Sequence, residues 1–94
     1  MTVTEAVEAA IKYVGEVFVN EKITNPGLEE VIFDEKSNRW KVTVGFSRPW
    51  DYRTGAIIQA LQGSSTPPSR TYKTVDVDDK SGAVKAIRIR NDIS

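Results

Sequence analysis

Basic and aromatic side chains gather in the second half of this sequence, and their types are the ones best suited to bind a partner. They are Arg48, Trp50, Tyr52, Arg53, Arg70, Tyr72, Arg88 and Arg90. Tryptophan, tyrosine and arginine dominate the energetics of protein interfaces because they bury a large area with few rotatable bonds. The same residue types bind nucleic acids, since bases stack on aromatic rings while basic groups contact phosphates. We therefore predict that these residues form a partner-binding surface.

The distribution of charge favours a protein as that partner. The formal net charge is zero and the isoelectric point is near 6.2, so the whole chain does not attract a polyanion. The first 35 positions hold eight acidic residues and two lysines, whereas the remainder holds 11 basic and five acidic residues. We expect these oppositely charged parts to pair partly with each other and otherwise to face solvent. A nucleic-acid-binding module that uses the basic C-terminal part is an alternative function.

Most familiar catalytic and metal-binding chemistry is excluded by composition. The chain has no cysteine and no histidine, so thiol nucleophiles, thiolate metal sites and imidazole bases are absent. The segment from Asp76 to Gly82 resembles a calcium loop superficially, but Lys80, Ser81 and Ile87 occupy positions that require other residues. The carboxylates at positions 29, 30, 34, 35, 76 and 78 are predicted to be solvated rather than buried. We expect a protein that is not an enzyme and that has no cofactor and no metal.

A single amphipathic helix is predicted at the start of the chain. Thr2 and Glu5 have the spacing of a capping box. Apolar residues then recur at helical spacing and form one stripe. They are Val3, Val7, Ala10, Ile11, Val14, Val17 and Phe18. The helix is expected to end before Asn20, and Asn25-Pro26-Gly27 is expected to form a turn.

The rest of the chain predicts two β-hairpins. The first joins residues 28–35 to a strand in which Trp40, Val42, Val44 and Phe46 alternate with polar or small residues, through a turn at 36–38. The second joins residues 72–78 to 83–90 through a turn at 79–82. The fold class is therefore α+β, with the N-terminal helix packed on one face of a four-stranded antiparallel sheet and the other face exposed to water. At 94 residues, the whole chain forms one domain.

The hairpins are joined by a long segment, residues 49–69. Connections of this length in compact domains usually have a function, so the segment is predicted to contact the partner together with the exposed sheet face. A protease inhibitor or propeptide-like module would instead insert the loop around Trp50 into a cleft. The remaining alternative is that Trp50, Ile57, Ile58 and Leu61 fold back to cover an open end of the sheet.

The order of elements carries a family resemblance. The helix that opens Thr4-Glu5-Ala6, the strand Trp40-Lys41-Val42-Thr43-Val44, and the segment from Tyr72 to Asp78 before the Gly82 turn resemble the PepSY and gas vesicle protein O group. The resemblance implies a small α+β accessory or partner-binding domain without catalytic residues. Departures from the group are the longer segment 50–69 and one extra residue within 72–75, which is expected to form a bulge.

The cellular location is predicted from the absence of long apolar stretches. None approaches the roughly 20 residues of a membrane span, and the N-terminus lacks the features of a secretory signal. For a chain that is complete as given, the expected location is cytoplasmic.

Overall fold

A computed structural model describes residues 1–49 and 70–90 of the chain. The elements are the helix α1 (Val3–Val17), a 3-10 turn (Val19–Glu21) and the strands β1 (Thr24–Asp34), β2 (Arg39–Ser47), β3 (Thr71–Asp78) and β4 (Val84–Ile89). The strands form one antiparallel sheet in the order β1-β2-β3-β4, and α1 packs on one face of it. The predicted α+β architecture is confirmed. The predicted loop lies outside the described residues from position 50 to position 69.

The helix begins and ends as expected. The Thr2 amide donates to Glu5 Oε1 at 2.8 Å, and the Glu5 amide donates to Thr2 Oγ1 at 3.2 Å, which completes the capping box. Hydrogen bonds from the Thr2 amide and hydroxyl lower the pKa of the Glu5 carboxyl. At the other end, α1 stops at Val17 and Lys22 adopts a left-handed conformation at φ 51° before β1 begins.

The buried stripe of the helix is made of smaller residues than the sequence predicts. Ala6, Ala10 and Val14 are fully buried, and they follow one another at a spacing of four. Val3 and Val17, which were predicted to belong to the stripe, are exposed. Both point in nearly the same direction as the buried residues, because a helix turns 100° per residue. They occupy the two ends of α1, where the sheet does not cover them.

The other half of the core comes from the central strands. Val42, Val44 and Phe46 on β2 and Val75 and Val77 on β3 are completely buried against α1. The ring centroids of Phe18 and Phe46 are 5.2 Å apart, and these two rings close one end of the core. Near the other end of the core, the ring centroids of Trp40 and Phe33 are 4.9 Å apart. The alternation seen in the sequence therefore identifies the core side of β2 correctly.

The first strand departs from the prediction. It begins at Thr24 rather than Leu28, and Asn25-Pro26-Gly27 lies inside it as an irregular segment rather than a turn. Asn25 has a left-handed φ of 54°, a conformation that asparagine tolerates. Proline lacks an amide hydrogen, but β1 is an edge strand, where a missing donor need not interrupt the ladder.

The bulge expected within 72–75 is also misplaced. β3 pairs with β2 without interruption from Thr71 to Asp78. The irregularity lies on the other side of β3, where Asp76 pairs with Ala86 and Val77 with Val84. The extra residue is therefore Lys85, on the edge strand, where a bulge disturbs fewer hydrogen bonds.

The two predicted hairpin turns, at 36–38 and 79–82, are present, and an aspartate at the end of the preceding strand caps each one. Asp34 accepts from the Lys36 amide at 3.1 Å and the Ser37 hydroxyl at 3.0 Å. Asp78 accepts from the Ser81 amide and hydroxyl, both at 2.9 Å. The Ser37 hydroxyl is the main cause of the lowered pKa of Asp34, and the Ser81 amide is the main cause of the lowered pKa of Asp78.

Val44→Asp tests the layer assignment. Val44 is fully buried, so the variant would place a carboxylate in the apolar core without a partner, and we expect a loss of several kcal/mol in the free energy of unfolding. Urea denaturation measures the change. An unfolding midpoint equal to that of the wild type would contradict the placement of β2 against α1.

The two turn caps make stability depend on acid pH. Because the folded-state pKa of each aspartate lies below its unfolded value, each cap stabilises the fold above the unfolded pKa, about 3.9. That contribution is lost as pH falls through the folded-state pKa. We expect the Asp34→Asn/Asp78→Asn double variant to lose less stability than the wild type between pH 5 and pH 2, each measured by thermal unfolding. If the unfolding midpoints of the two proteins fell by the same amount between pH 5 and pH 2, the two aspartates would not be the source of the pH dependence.

Candidate functional site on the open face of the sheet

The open face is the side of the sheet opposite α1. Strand alternation and the observed pairing place a band of polar and charged residues there. From β1 to β4 they are Glu29, Glu30, Ile32, Asp34, Arg39, Lys41, Thr43, Gly45, Arg70, Tyr72, Thr74, Asp76, Asp78, Ala86, Arg88 and Arg90. The face contains most of the chain's ion pairs among the described residues.

One carboxylate on the central strand β3 contacts three cations. Asp76 Oδ2 lies 3.0 Å from Arg88 Nη2, 3.7 Å from Lys41 Nζ and 3.8 Å from Arg39 Nη1. We call these residues the Asp76 cluster. The Asp76 side chain is fully buried, whereas those of Arg39, Lys41 and Arg88 are 36%, 31% and 58% exposed. The cluster is therefore a set of solvent-facing cations around a buried anion.

The burial of Asp76 corrects the expectation that the carboxylates are solvated. Lys41 is directly opposite Asp76 on β2. On the other side, Asp76 pairs with Ala86 on β4, and the small alanine leaves room for Arg88 to reach it diagonally. Asp76 Oδ1 is buried and has no hydrogen-bond partner among the described residues. All three cations lie within ion-pair distance of the other oxygen, and Arg88 also donates a hydrogen bond to it.

A second polar group crosses the whole sheet. Arg90, just after β4, donates from Nη1 to Glu30 Oε1 on β1 at 3.1 Å and to Thr43 Oγ1 on β2 at 3.3 Å. The hydroxyls of Thr43 and Thr74 are 3.1 Å apart beneath it. These contacts explain why Thr43 is buried, although its side of β2 was predicted to face water.

A third group lies beside Gly45. Arg70 Nη2 is 3.5 Å from Glu29 Oε1 and donates to the Asn25 carbonyl at 3.0 Å. A Cβ atom at position 45 would be 2.7 Å from Glu29 Oε1, closer than side-chain carbons approach other atoms. The missing side chain therefore gives Glu29 the space to reach Arg70. Gly45 is itself buried, a second exception to the predicted water-facing side.

The opposite charges of the two parts of the chain are partly paired, as expected. Three acidic residues from the first 35 positions bind arginines from the second part: Glu21 to Arg48 at 3.3 Å, Glu29 to Arg70 at 3.5 Å and Glu30 to Arg90 at 3.1 Å. Each of these pairs joins one carboxylate to one cation. The Asp76 cluster differs, because three cations share a single carboxylate there.

The predicted binding residues that the structure describes lie on both sides of the sheet. Arg70, Tyr72, Arg88 and Arg90 lie on the open face. Arg48 lies on the helix side of the sheet, where its guanidinium is 5.6 Å from the Phe18 ring centroid and 5.4 Å from that of Phe46. Cation–π contact and the Glu21 ion pair thus give Arg48 a packing role. Trp50, Tyr52 and Arg53 lie outside the described residues.

Two cations of the site were missed by sequence reasoning. Arg39 and Lys41 belong to β2, the strand with the clearest alternation. That alternation already places both side chains on the face of the sheet that Trp40 and Val42 do not occupy. Their partner Asp76 could not be identified in the same way, because residues 49–69 separate β2 from β3 in the sequence and local alternation does not give the register between the two strands.

The described residues hold neither a metal site built from carboxylates nor a membrane-spanning helix. Residues 1–49 and 70–90 contain no group of three or more aspartate or glutamate side chains placed to hold a metal ion. No helix in the same two stretches is long and apolar enough to cross a membrane.

Comparison with known proteins does not assign the chain to a family. No protein-family model matches it, and neither curated proteins nor solved structures give a significant match. The resemblance to the PepSY and gas vesicle protein O group therefore stays a prediction. The function must be argued from the geometry of the open face.

Asp76→Asn tests whether the buried carboxylate holds the cluster together. The variant keeps the size of the side chain but removes the charge that offsets three neighbouring cations, so we expect the free energy of unfolding to fall by about 1–3 kcal/mol. Glu8→Gln, on the exposed side of α1, is the matched control and should change it by less than about 0.5 kcal/mol. Equal stability of the wild type and Asp76→Asn would show that the cations do not need the carboxylate.

Proposed function

We propose that this domain is not an enzyme and that it binds an acidic segment of a protein partner through the Asp76 cluster on the open face. The observation that carries the proposal is the contact of Arg39, Lys41 and Arg88 with one oxygen of the buried Asp76. A single negative charge attracts three cations, and one of them, Arg88, is hydrogen-bonded to it. Their charge is not fully compensated by Asp76, and their side chains remain accessible.

Pre-positioned cations suit the recognition of carboxylates. An arginine carries five N–H donors in a planar fork that matches a carboxylate. Arg88 is 58% exposed although one of its nitrogens is bound to Asp76, so its guanidinium can contact a second carboxylate. Because Asp76 already restricts these side chains, binding loses less side-chain entropy than it would with mobile surface cations.

The nearest other carboxylates leave the cluster accessible. Asp34 and Asp78 lie at the same end of the sheet, beside Arg39 in the strand pairing. Both accept hydrogen bonds from their own turns, and neither is within ion-pair distance of the three cations among the contacts of the described residues. They still limit the positive potential there, which favours a short acidic segment over a long polyanion.

An apolar neighbour adds to the surface. Ile32 is directly opposite Lys41 on β1 and is 52% exposed. A partner segment that carries acidic residues and an apolar residue on the same side would place carboxylates at the cluster and the apolar side chain on Ile32. Protein interfaces combine such apolar contacts with a charged rim.

Features of the open face favour a protein over a nucleic acid. Each described cation on it has a carboxylate within ion-pair distance, whereas nucleic-acid affinity depends on basic residues that neutralise successive phosphates. Tyr72, the aromatic residue of the face among those described, is half-buried, and base stacking needs an accessible ring. The contribution of the predicted loop at 49–69 stays a prediction.

Fluorescence anisotropy with a labelled ten-residue peptide of glutamates that has leucine at every third position, and therefore both residue types on each side when extended, tests the proposal. Arg88→Gln and Lys41→Gln should each weaken binding by about fivefold to thirtyfold, on the scale of about 1–2 kcal/mol for a hydrogen bond to a charged group. Lys12→Gln, the same change on the exposed side of α1, should leave the affinity unchanged. Raising the salt concentration should weaken binding of the wild type.

The same titration distinguishes the alternatives. A peptide with glutamine in place of glutamate should bind far more weakly. Equal affinity of the wild type and both cluster variants for the acidic peptide would contradict the proposal. Tighter binding of a ten-nucleotide single strand, with a steep dependence on salt, would favour the nucleic-acid alternative instead.

A further inference from the structure

The two edges of the sheet have matching regular stretches. β1 and β4 are the edge strands of the described sheet. β1 pairs regularly over residues 30–34, and its register shifts between Leu28 and Glu30. On β4, the bulge at Lys85 precedes residues 86–89, and the Arg90 amide continues the ladder by donating to the Tyr72 carbonyl at 3.1 Å. Each edge thus offers five residues of regular strand.

The direction of the backbone groups follows from the antiparallel ladder, in which hydrogen-bonded and non-hydrogen-bonded pairs alternate. Because Arg90 is bonded to Tyr72, Arg88 and Ala86 bond β3 as well, and Ile87 and Ile89 direct their amides and carbonyls away from the sheet. The Asp79 amide bonds the Asn38 carbonyl. Every second residue of β2 from Asn38 therefore bonds β3, and the residues between them bond β1. Ile32, opposite Lys41, is thus bonded to β2, whereas Val31 and Phe33 direct their amides and carbonyls away from the sheet.

The charges of the two edges are opposite. The stretch of β1 carries Glu30 and Asp34, and that of β4 carries Arg88 and Arg90. Two β1 edges in an antiparallel pair would place Glu30 opposite Asp34, and two β4 edges centred on Arg88 would place arginine opposite arginine. Like charges directly opposite each other destabilise a strand pair. A β4 edge is therefore complementary to a β1 edge and not to itself.

From these observations we propose that β4 of one molecule pairs with β1 of a second copy and extends the sheet in the antiparallel sense. In the register that aligns both regular stretches, Ile87 is opposite Phe33 of the second copy and Ile89 is opposite its Val31. Arg88 then lies opposite Ile32 of the second copy and diagonal to both of its carboxylates. The outward backbone groups of the two edges face each other.

Exposure supports the same contact. Ile89 is 69% exposed, the highest value among the large apolar residues of the described chain, and Ile32 and Phe33 are exposed on the other edge. The proposed pairing would cover all three. A five-residue strand pair buries less than the 1,200 Å² or so of a stable interface, so the association is weak and depends on concentration. Because the two contact surfaces differ, it is head-to-tail.

Sedimentation velocity of the full chain, from 10 μM to 1 mM at low salt and at high salt, tests the contact. The weight-average mass of the wild type should rise with concentration, and high salt should reduce the rise. Ile89→Pro removes an amide that points outward, so the ladder with β3 is kept and the association should be lost. Ile89→Thr retains the amide and the β-branched shape, and it should associate within about threefold of the wild type.

A second variant covers the case in which the proline disturbs the strand. Ile89→Lys places a charge on an exposed edge, a device that prevents strand addition, and it should also be monomeric with an unchanged unfolding midpoint. A wild type that stays monomeric up to 1 mM would overturn the proposal, because the edge strands would then not pair with a second copy of this chain. Association that persists in a folded Ile89→Pro or Ile89→Lys variant would overturn it as well.

Discussion

Within residues 1–49 and 70–90, the 15-residue helix α1 packs on one face of the four-stranded sheet and leaves the other face to polar side chains. The apolar side chains of β2 and β3 are fully used on the helix side. On the opposite side, the central strands are covered in part by long charged residues from neighbouring strands and from the chain just beyond them, which extend across them and bind one another. In the described part of the chain, the polar network thus covers the face of the central strands that α1 does not reach.

This arrangement puts a buried charge at the centre of a surface. Asp76 is inaccessible, and a buried ion pair contributes little to stability once the cost of desolvation is counted. Its clearer effect is to fix geometry, because three side chains from two neighbouring strands meet at one oxygen. A patch of apolar residues in its place would also cover β3, but it would not hold cations in defined positions.

The features that follow from local periodicity could be predicted from the sequence. The alternation of Trp40, Val42, Val44 and Phe46 identifies both the strand and its core side, and the Thr2 and Glu5 spacing identifies the helix start. The irregular start of β1 was missed because Asn25 and Pro26 are also typical of turns. The Asp76 cluster could not be found in this way, since it depends on the register between strands distant in the chain. Arg48, by contrast, follows the parity of Phe46, and that parity already places it on the helix side.

Gly45 couples positions that are distant in the chain. The space left by its missing side chain is filled by Glu29, which in turn binds Arg70. Any larger residue at position 45 would displace the Glu29 carboxylate and weaken its ion pair with Arg70. Among natural variants of this chain, these three positions should therefore vary together rather than independently.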